Sequence, residues 1–345
     1  MQMNHSRRLG VLFAAGLAAS VAGSALQAAA AEIREHSFRF ASVQVAEHPF
    51  SMGGKRFAEL IEEKSGGKMK PKLFTGGTLG GDAQVISSLQ GGTIDATFVS
   101  TGLVSPMDKN FGIYYLPMAF DSMEEADKVV DSPFGQKMLD LLEPQGLIGL
   151  TYWEHGFREV STGKHPINKL EDFKGLKLRT IQIPIFVDIY KELGANPVPL
   201  GFTEIYTALE QGAVDGQETA LPTFKSARFD EVQKYLSLTQ IVYDPLVVLF
   251  SKKTWDKLNE DERKILVDAA KEATAYQREL NRKTIDTVVN HPIKGMTVNQ
   301  MSPEERQRMR EHLKPVTERY SKDLDQALLA EFWAEVEKAR KSTAK

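Results

Sequence analysis

Two arginines, Arg158 and Arg179, are the residues of this chain whose type and placement best suit chemistry, and that chemistry is recognition rather than bond making. A guanidinium is planar and permanently charged, and it grips a carboxylate through two parallel hydrogen bonds that a lysine cannot reproduce. Arg179 closes the segment Gly175-Leu176-Lys177-Leu178-Arg179-Thr180, in which Leu176 and Leu178 alternate with Lys177 and Arg179. That period of two predicts a strand with one face on a core and Arg179 at its carboxyl end. In open α/β sheets ligands bind in the crevice beyond that edge, so the expected solute is an organic anion. Arg158, in Glu154-His155-Gly156-Phe157-Arg158-Glu159, follows an apolar strand over residues 147–153 and is the second candidate. The competing reading for Arg158 is a surface ion pair with Glu154 or Glu159, and for Arg179 a salt bridge between lobes. His48 falls in the first strand-to-helix turn, where it either reaches the cleft or caps the turn. Trp153, Tyr243 and Phe98 stand near strand ends as apolar walls of a pocket or as core.

Signatures of covalent chemistry are scarce. The chain has no G-x-S-x-G, G-x-G-x-x-G, P-loop or H-E-x-x-H, and Gly76-Gly77-Thr78-Leu79-Gly80-Gly81 lacks the order of a phosphate loop, so it reads as a turn. The 7 histidines are scattered without metal-ligand spacing, and the absence of cysteine excludes disulfides, thiolate metal sites and cysteine nucleophiles. No cofactor or metal is expected. Asp95 and Asp215 are expected to brace the fold rather than act as an acid and a base. A net charge of -3 with mixed signs favours neither nucleic acid nor an anionic membrane surface.

The first 31 residues read as a secretory signal peptide: Arg7 and Arg8 precede an Ala/Gly/Leu/Val/Phe run that ends in Gln27-Ala28-Ala29-Ala30-Ala31. Cleavage is expected near Ala31, and the mature protein is expected in the periplasm. Ser6-Arg7-Arg8-Leu9 resembles a twin-arginine start, although general export is the favoured route. The ~310 residues that remain suffice for two lobes of ordinary domain size.

Apolar spacing predicts a helix around Phe57, Leu60 and Ile61, stopped at Ser65-Gly66-Gly67, and another through Val85, Ile86 and Leu89, stopped at Gly91-Gly92. Strand patterns at residues 70–74 and 93–99 follow them, the grammar of a largely parallel sheet. The same grammar returns in helices from Pro184 to Gly194 and over residues 203–211. Leu89-Gln90-Gly91-Gly92-Thr93-Ile94-Asp95-Ala96 aligns with Leu209-Glu210-Gln211-Gly212-Ala213-Val214-Asp215-Gly216, a faint internal duplication of two α/β lobes. Residues 252–289 read as one long helix that touches both lobes, and the tail from residue 302 is again helical. The expected fold is α/β in two lobes, with the long helix spanning both. Its first lobe comprises residues 32–155 and 245–284, and its second 156–244 and 285–345.

Taken in order, the leader, Gly156-Phe157-Arg158, Gly175-Leu176-Lys177-Leu178-Arg179, Phe202-Thr203-Glu204-Ile205-Tyr206 and Val214-Asp215-Gly216-Gln217-Glu218 resemble the solute-binding proteins of tripartite ATP-independent periplasmic (TRAP) transporters. The resemblance implies a monomeric protein of the two-lobed periplasmic-binding-protein fold with a hinge, whose lobes close over a small organic acid, a C4-dicarboxylate or a sugar acid such as a uronate, and deliver it to a membrane permease. It implies that Arg179 is the carboxylate clamp, that Arg158 assists, that Phe202 packs on the solute, and that Gln217 and Thr219 belong to the binding segment. Thr219 stands where most members carry asparagine, so the far end of the solute is expected to differ. Ser100-Thr101-Gly102 stands where sialic-acid-binding members carry a glutamate, which argues against sialic acid. The rival readings are a secreted α/β enzyme acting on a sugar acid, with His48 or His155 as base, and a structural envelope protein.

Overall fold

The structure, a computed structural model, describes residues 32–291 and 293–343. The expected leader and its cleavage near Ala31 lie outside the described residues. The chain opens with β1 (His36–Ala41), α1 (Pro49–Lys64), β2 (Met69–Phe74), α2 (Asp82–Gly91) and β3 (Ala96–Ser100). β1 pairs in parallel with both β2 and β3, as strand-helix alternation requires. After α3 (Met123–Val130) and α4 (Pro133–Asp140) comes the long strand β4 (Leu147–Thr162). The alternation then repeats in β5 (Lys177–Thr180), α5 (Pro184–Glu192), β6 (Asn196–Pro199), α6 (Ile205–Glu210) and β7 (Gly216–Ala220), with β5 parallel to β6 and β7. The short α7 (Leu221–Ser226) leads to a second long strand, β8 (Tyr235–Ser251).

β4 and β8 run antiparallel and join the halves, giving the order β2-β1-β3-β8-β4-β7-β5-β6. β8 reaches β3 with its later residues, and β4 reaches β7 with its own. At the crossing the register shifts between Glu154 and Gly156 and again between Arg158 and Val160. Gly156 has φ 105°, a conformation that a side chain resists, and such irregularities bend a strand and re-aim its side chains. One core cluster is confined to the first half, with Phe38, Phe40, Phe57 and Phe98, and another to the second, with Ile205, Leu209, Leu221 and Phe224, while a third runs through both, from Ile86 and Tyr115 to Leu178 and Phe186.

The duplication proves literal at atomic level. Asp95 N–H donates to the Arg39 carbonyl (2.8 Å) while its Oδ2 accepts the Arg39 N–H (2.7 Å). Asp215 does the same with Lys177, at 2.7 and 2.9 Å. Both aspartates clamp a neighbouring strand, the bracing role expected of them.

The expected single helix over 252–289 divides into α8 (Lys252–Trp255) and α9 (Glu260–Asn290). Asn259 and Glu262 exchange side-chain-to-backbone hydrogen bonds of 2.9 Å in each direction, a capping box that starts a new helix there. α9 packs on α1 and β4 and also meets α7, so it touches both halves. β9 (Thr297–Gln300) joins β8, and α10 (Pro303–His312), α11 (Lys314–Asp323) and α12 (Gln326–Thr343) close the chain. α12 departs from the expected division, because it packs on α3 and α4 of the first half. The reason is aromatic: Phe332 sits edge-on to Tyr114 and Phe120 and tilted against Phe134. No helix among the described residues is long and apolar enough to cross a membrane.

The site depends on α1 lying close over the sheet. A Cβ at Gly54 would fall 2.3 Å from the Phe98 ring. Gly54→Ala is therefore expected to cost about 1–3 kcal/mol of stability, read as a lower denaturation midpoint. An unchanged midpoint would show that Phe98 moves aside without strain.

Candidate ligand-binding site

Where the two halves meet over the crossing strands, a cavity of about 50 Å³ is lined by Gln44, Asp82, Phe98, Arg158, Arg179 and Thr219, among others. A wider hollow of about 360 Å³ shares Asp82 and Phe202 with it and continues toward Gln84 and Thr203. The parallel strands of each half end here, as the strand-edge argument requires.

The two arginines are both buried, 2 % and 3 % exposed, yet their surroundings differ. Arg158 is fully matched with acids. Its Nε and Nη2 hold the Glu218 carboxylate, and Nη1 donates to Asp244 Oδ2 at 2.7 Å. Burial opposes its charge, but Glu218 and Asp244 outweigh that and raise its pKa. The guanidinium also lies 5.2 Å from the Phe186 ring. Asp244 accepts further from Ser100 and Tyr115, each at 2.7 Å. Burial alone would raise the Asp244 carboxyl, but His155 and Arg158 hold it down to about 2.

Arg179 is bonded to main chain instead. Its Nε and Nη2 donate to the Leu200 carbonyl at 3.0 and 2.7 Å, and Nη1 reaches the Glu218 carbonyl at 3.5 Å. Among the described residues its one ion pair, with Glu218 Oε1, spans 3.9 Å. Burial therefore pulls the guanidinium down to about 10, against the raising effect of Glu218. It stays charged at neutral pH, and among the described residues two of its five N–H groups have no hydrogen-bond partner.

Asp82, the first residue of α2, brings a carboxyl to the same cavity. Burial lifts it to about 6, in spite of the charge of Arg179. Gln44 is 5 % exposed, and its Oε1 has no hydrogen-bond partner among the described residues.

The sequence of residues 40–323 matches the family described as bacterial extracellular solute-binding protein, family 7. This chain is a member of that family. Its members are the solute-binding proteins of TRAP transporters, periplasmic proteins that bind small organic acids and work with a membrane permease. Among its relatives is the 2,3-diketo-L-gulonate-binding periplasmic protein YiaO of Escherichia coli, 36 % identical over 78 % of this chain and 80 % of that protein. Another is the C4-dicarboxylate-binding protein DctB of Bacillus subtilis, 30 % identical over 86 % of this chain and 85 % of that one. The crystal structure of the sugar acid binding protein DctPAm of Advenella mimigardefordensis, in complex with galactonate, is 39 % identical. It superposes with a TM-score of 0.85 over 89 % of this chain and 99 % of that chain.

Within this TRAP solute-binding protein, the cavity brings together Arg158, Arg179, Phe202 and Thr219 from the sequence candidates, and Phe98 with them. The ion pair of Arg158 is neither with Glu154 nor with Glu159. Glu154 faces Arg282, and Glu159 accepts the main-chain N–H groups of Thr239 and Gln240. Four other candidates stand back from the cavity. His48 caps α1 and bonds Thr223. Trp153 stacks on Phe98 from behind, ring centroids 4.6 Å apart. Tyr243 packs edge-on between Phe120 and Phe157. Gln217 shares a strand face with Thr219 but lies deeper, where its amide donates to Ser161 Oγ at 2.9 Å.

Sequence reasoning missed Gln44, Asp82, Thr223 and Asp244. Asp82 had a signal: it follows a glycine turn after a parallel strand and opens a helix, the same strand-edge logic that singled out Arg179. Asp244 had none, because its partners arrive from distant elements.

The unequal pairing of the arginines predicts unequal mutants. Arg158→Ala leaves Glu218 and Asp244 buried without their counter-charge and is expected to cost about 3–5 kcal/mol of stability. Arg179→Ala should melt close to wild type while affinity for an acid ligand falls about 10²- to 10⁴-fold, the loss of two charge-assisted hydrogen bonds. Calorimetric titration and denaturation of both variants check this, and the reverse assignment of effects would refute it.

Proposed function

We propose that this protein captures an organic acid with a single carboxylate and a hydroxylated chain, a sugar acid, and presents it to the permease of a TRAP transporter. The supporting observation is the state of Arg179: a buried cation, held by main-chain carbonyls, with donors unused. A carboxylate entering the cavity completes those donors with charge-assisted bonds, each worth about 1.5–3 kcal/mol. Arg158 acts as scaffold rather than as a second clamp, since its acids already neutralise it.

Charge counting favours one carboxylate over two. Arg158 and Arg179 are already faced by Glu218, Asp244 and Asp82. A C4-dicarboxylate would set its second carboxylate among these acids, and like charges at close range in a low dielectric repel strongly. Hydroxyl groups suit the same surroundings, since they donate to Asp82 and to Gln44 Oε1. Phe202 and Phe98 offer apolar surface to the carbon chain. On this reading the lobes meet at residues 155/156 and 244/245, beside the register shift of β4, and close by a hinge motion. The enzyme alternative gains nothing from the relatives, which are substrate-binding proteins of transporters.

A thermal-shift series with D-galactonate, D-glucuronate and succinate tests the proposal, because a ligand of the native state raises the melting point by mass action. The sugar acids are expected to shift the melting point and succinate is not. The pH dependence carries a sign. Hydroxyl donation requires ionised Asp82, so sugar-acid affinity should fall as pH drops through about 6. In Asp82→Asn that dependence should vanish and succinate should gain. A larger shift with succinate than with either sugar acid would reject the single-carboxylate reading.

A further inference from the structure

His155 and Thr223, which form part of the cavity wall, belong to a hydrogen-bonded chain whose other members, His48 and Asp244, stand behind it. His48 Nε2 lies 3.0 Å from Thr223 Oγ1, and His155 Nε2 lies 2.8 Å from the same oxygen. His155 Nδ1 is 2.9 Å from Asp244 Oδ2, and His48 Nδ1 accepts the Phe50 N–H at 3.0 Å. All four side chains are buried.

One arrangement of protons satisfies this chain. Asp244 is ionised and only accepts, so a neutral His155 carries its proton on Nδ1. His155 Nε2 then offers a lone pair, and the Thr223 hydroxyl must donate to it. The Thr223 oxygen in turn accepts from His48 Nε2–H, which leaves His48 Nδ1 as the acceptor that caps α1. Burial, together with the closeness of His155, keeps His48 neutral, and burial keeps His155 neutral against the pull of Asp244.

The chain also crosses the cleft. His48 neighbours Phe50, which belongs to the core of the first half. Thr223 lies on α7 between Leu221 and Phe224, both in the core of the second half. Parting the halves breaks the His48–Thr223 bond and lets water replace it. Bringing them together restores a bond that no other group can supply in the dry interior.

We propose that His48 and Thr223 form a latch across the cleft, positioning residues that stabilise the closed form and slow release of the solute. His48 does this without reaching the cavity. Thr223 lines the cavity, but its hydroxyl is committed to the two imidazoles. The latch rests on the solute-binding reading, because it assigns these residues a share of ligand residence time.

The test uses Thr223→Val, which keeps the shape and removes the hydroxyl, and His48→Asn, which retains a strong helix cap but is too short to reach Thr223. D-galactonate, D-glucuronate, L-gulonate and succinate serve as probes in stopped-flow binding. The probe that wild type binds most tightly is expected to dissociate about 3- to 10-fold faster from each variant, with its association rate little changed. The ligand-free melting point of His48→Asn should not move, since the open form lacks the His48–Thr223 bond, whereas a merely structural role would lower it. Thr223→Ser should restore slow release, and the double variant should be no worse than either single one. Equal dissociation rates in wild type and variants would overturn the latch and leave the proposed function standing. Additive effects would assign Thr223 to the ligand and likewise overturn it. If wild type binds none of the four acids, the proposed function and the latch both fall.

Discussion

A guanidinium buried at the crossing of two long strands sets the terms for the rest of the molecule. Arg158 sits on β4 where the register slips, and its charge is tolerable there only because Glu218 arrives from β7 and Asp244 from β8. Those two acids bind three strands together at the one place where both halves share a sheet. Their presence also explains the asymmetry of the site, since Glu218 lies too far from Arg179 to neutralise it well. One arginine is therefore neutralised by acids, and the other, on the proposed reading, is left for a ligand. The family resemblance makes Arg158 an assistant of the clamp, whereas its pairing with Glu218 and Asp244 leaves it no free charge to offer.

Asp244 extends the same cluster in a second direction. By accepting from His155, Ser100 and Tyr115 as well as from Arg158, it fixes the tautomer of His155 and hence the direction of the hydrogen bonds through Thr223 to His48. A carboxylate on β8 thus orders groups drawn from several elements around the cavity. Buried polar networks of this kind demand that every member be satisfied, which favours a closed form with a single geometry.

Much of this was legible in the chain, for identifiable reasons. Alternation at Leu176 and Leu178, and glycine stops at Gly92 and Gly212, are local signals. They located the strand of Arg179 and the duplicated helix-to-strand turns, whose aspartates hold the same backbone bonds in both halves. The motifs resembling TRAP solute-binding proteins led to the family, and both arginines, Phe202 and Thr219 line one cavity. What stayed hidden was pairing across long sequence separations. Nothing near Arg158 announces Asp244, 86 residues away. The helix that breaks at Asn259 and the terminal helix that lies on the first half were likewise settled by a cap and by the packing of Phe332, neither visible in apolar periodicity. Of the two readings of His48, reaching the cleft or capping the turn, the structure shows the cap, with Nε2 directed at Thr223.

The central claim is that one arginine receives the solute and the other does not. A crystal structure of the protein with D-galactonate tests it most directly. The account predicts both carboxylate oxygens within about 3 Å of Arg179 nitrogens, with the Arg158 pairs to Glu218 and Asp244 unbroken. A carboxylate seated on Arg158 with Glu218 displaced, or Arg179 facing only the hydroxyl end of the ligand, would contradict it.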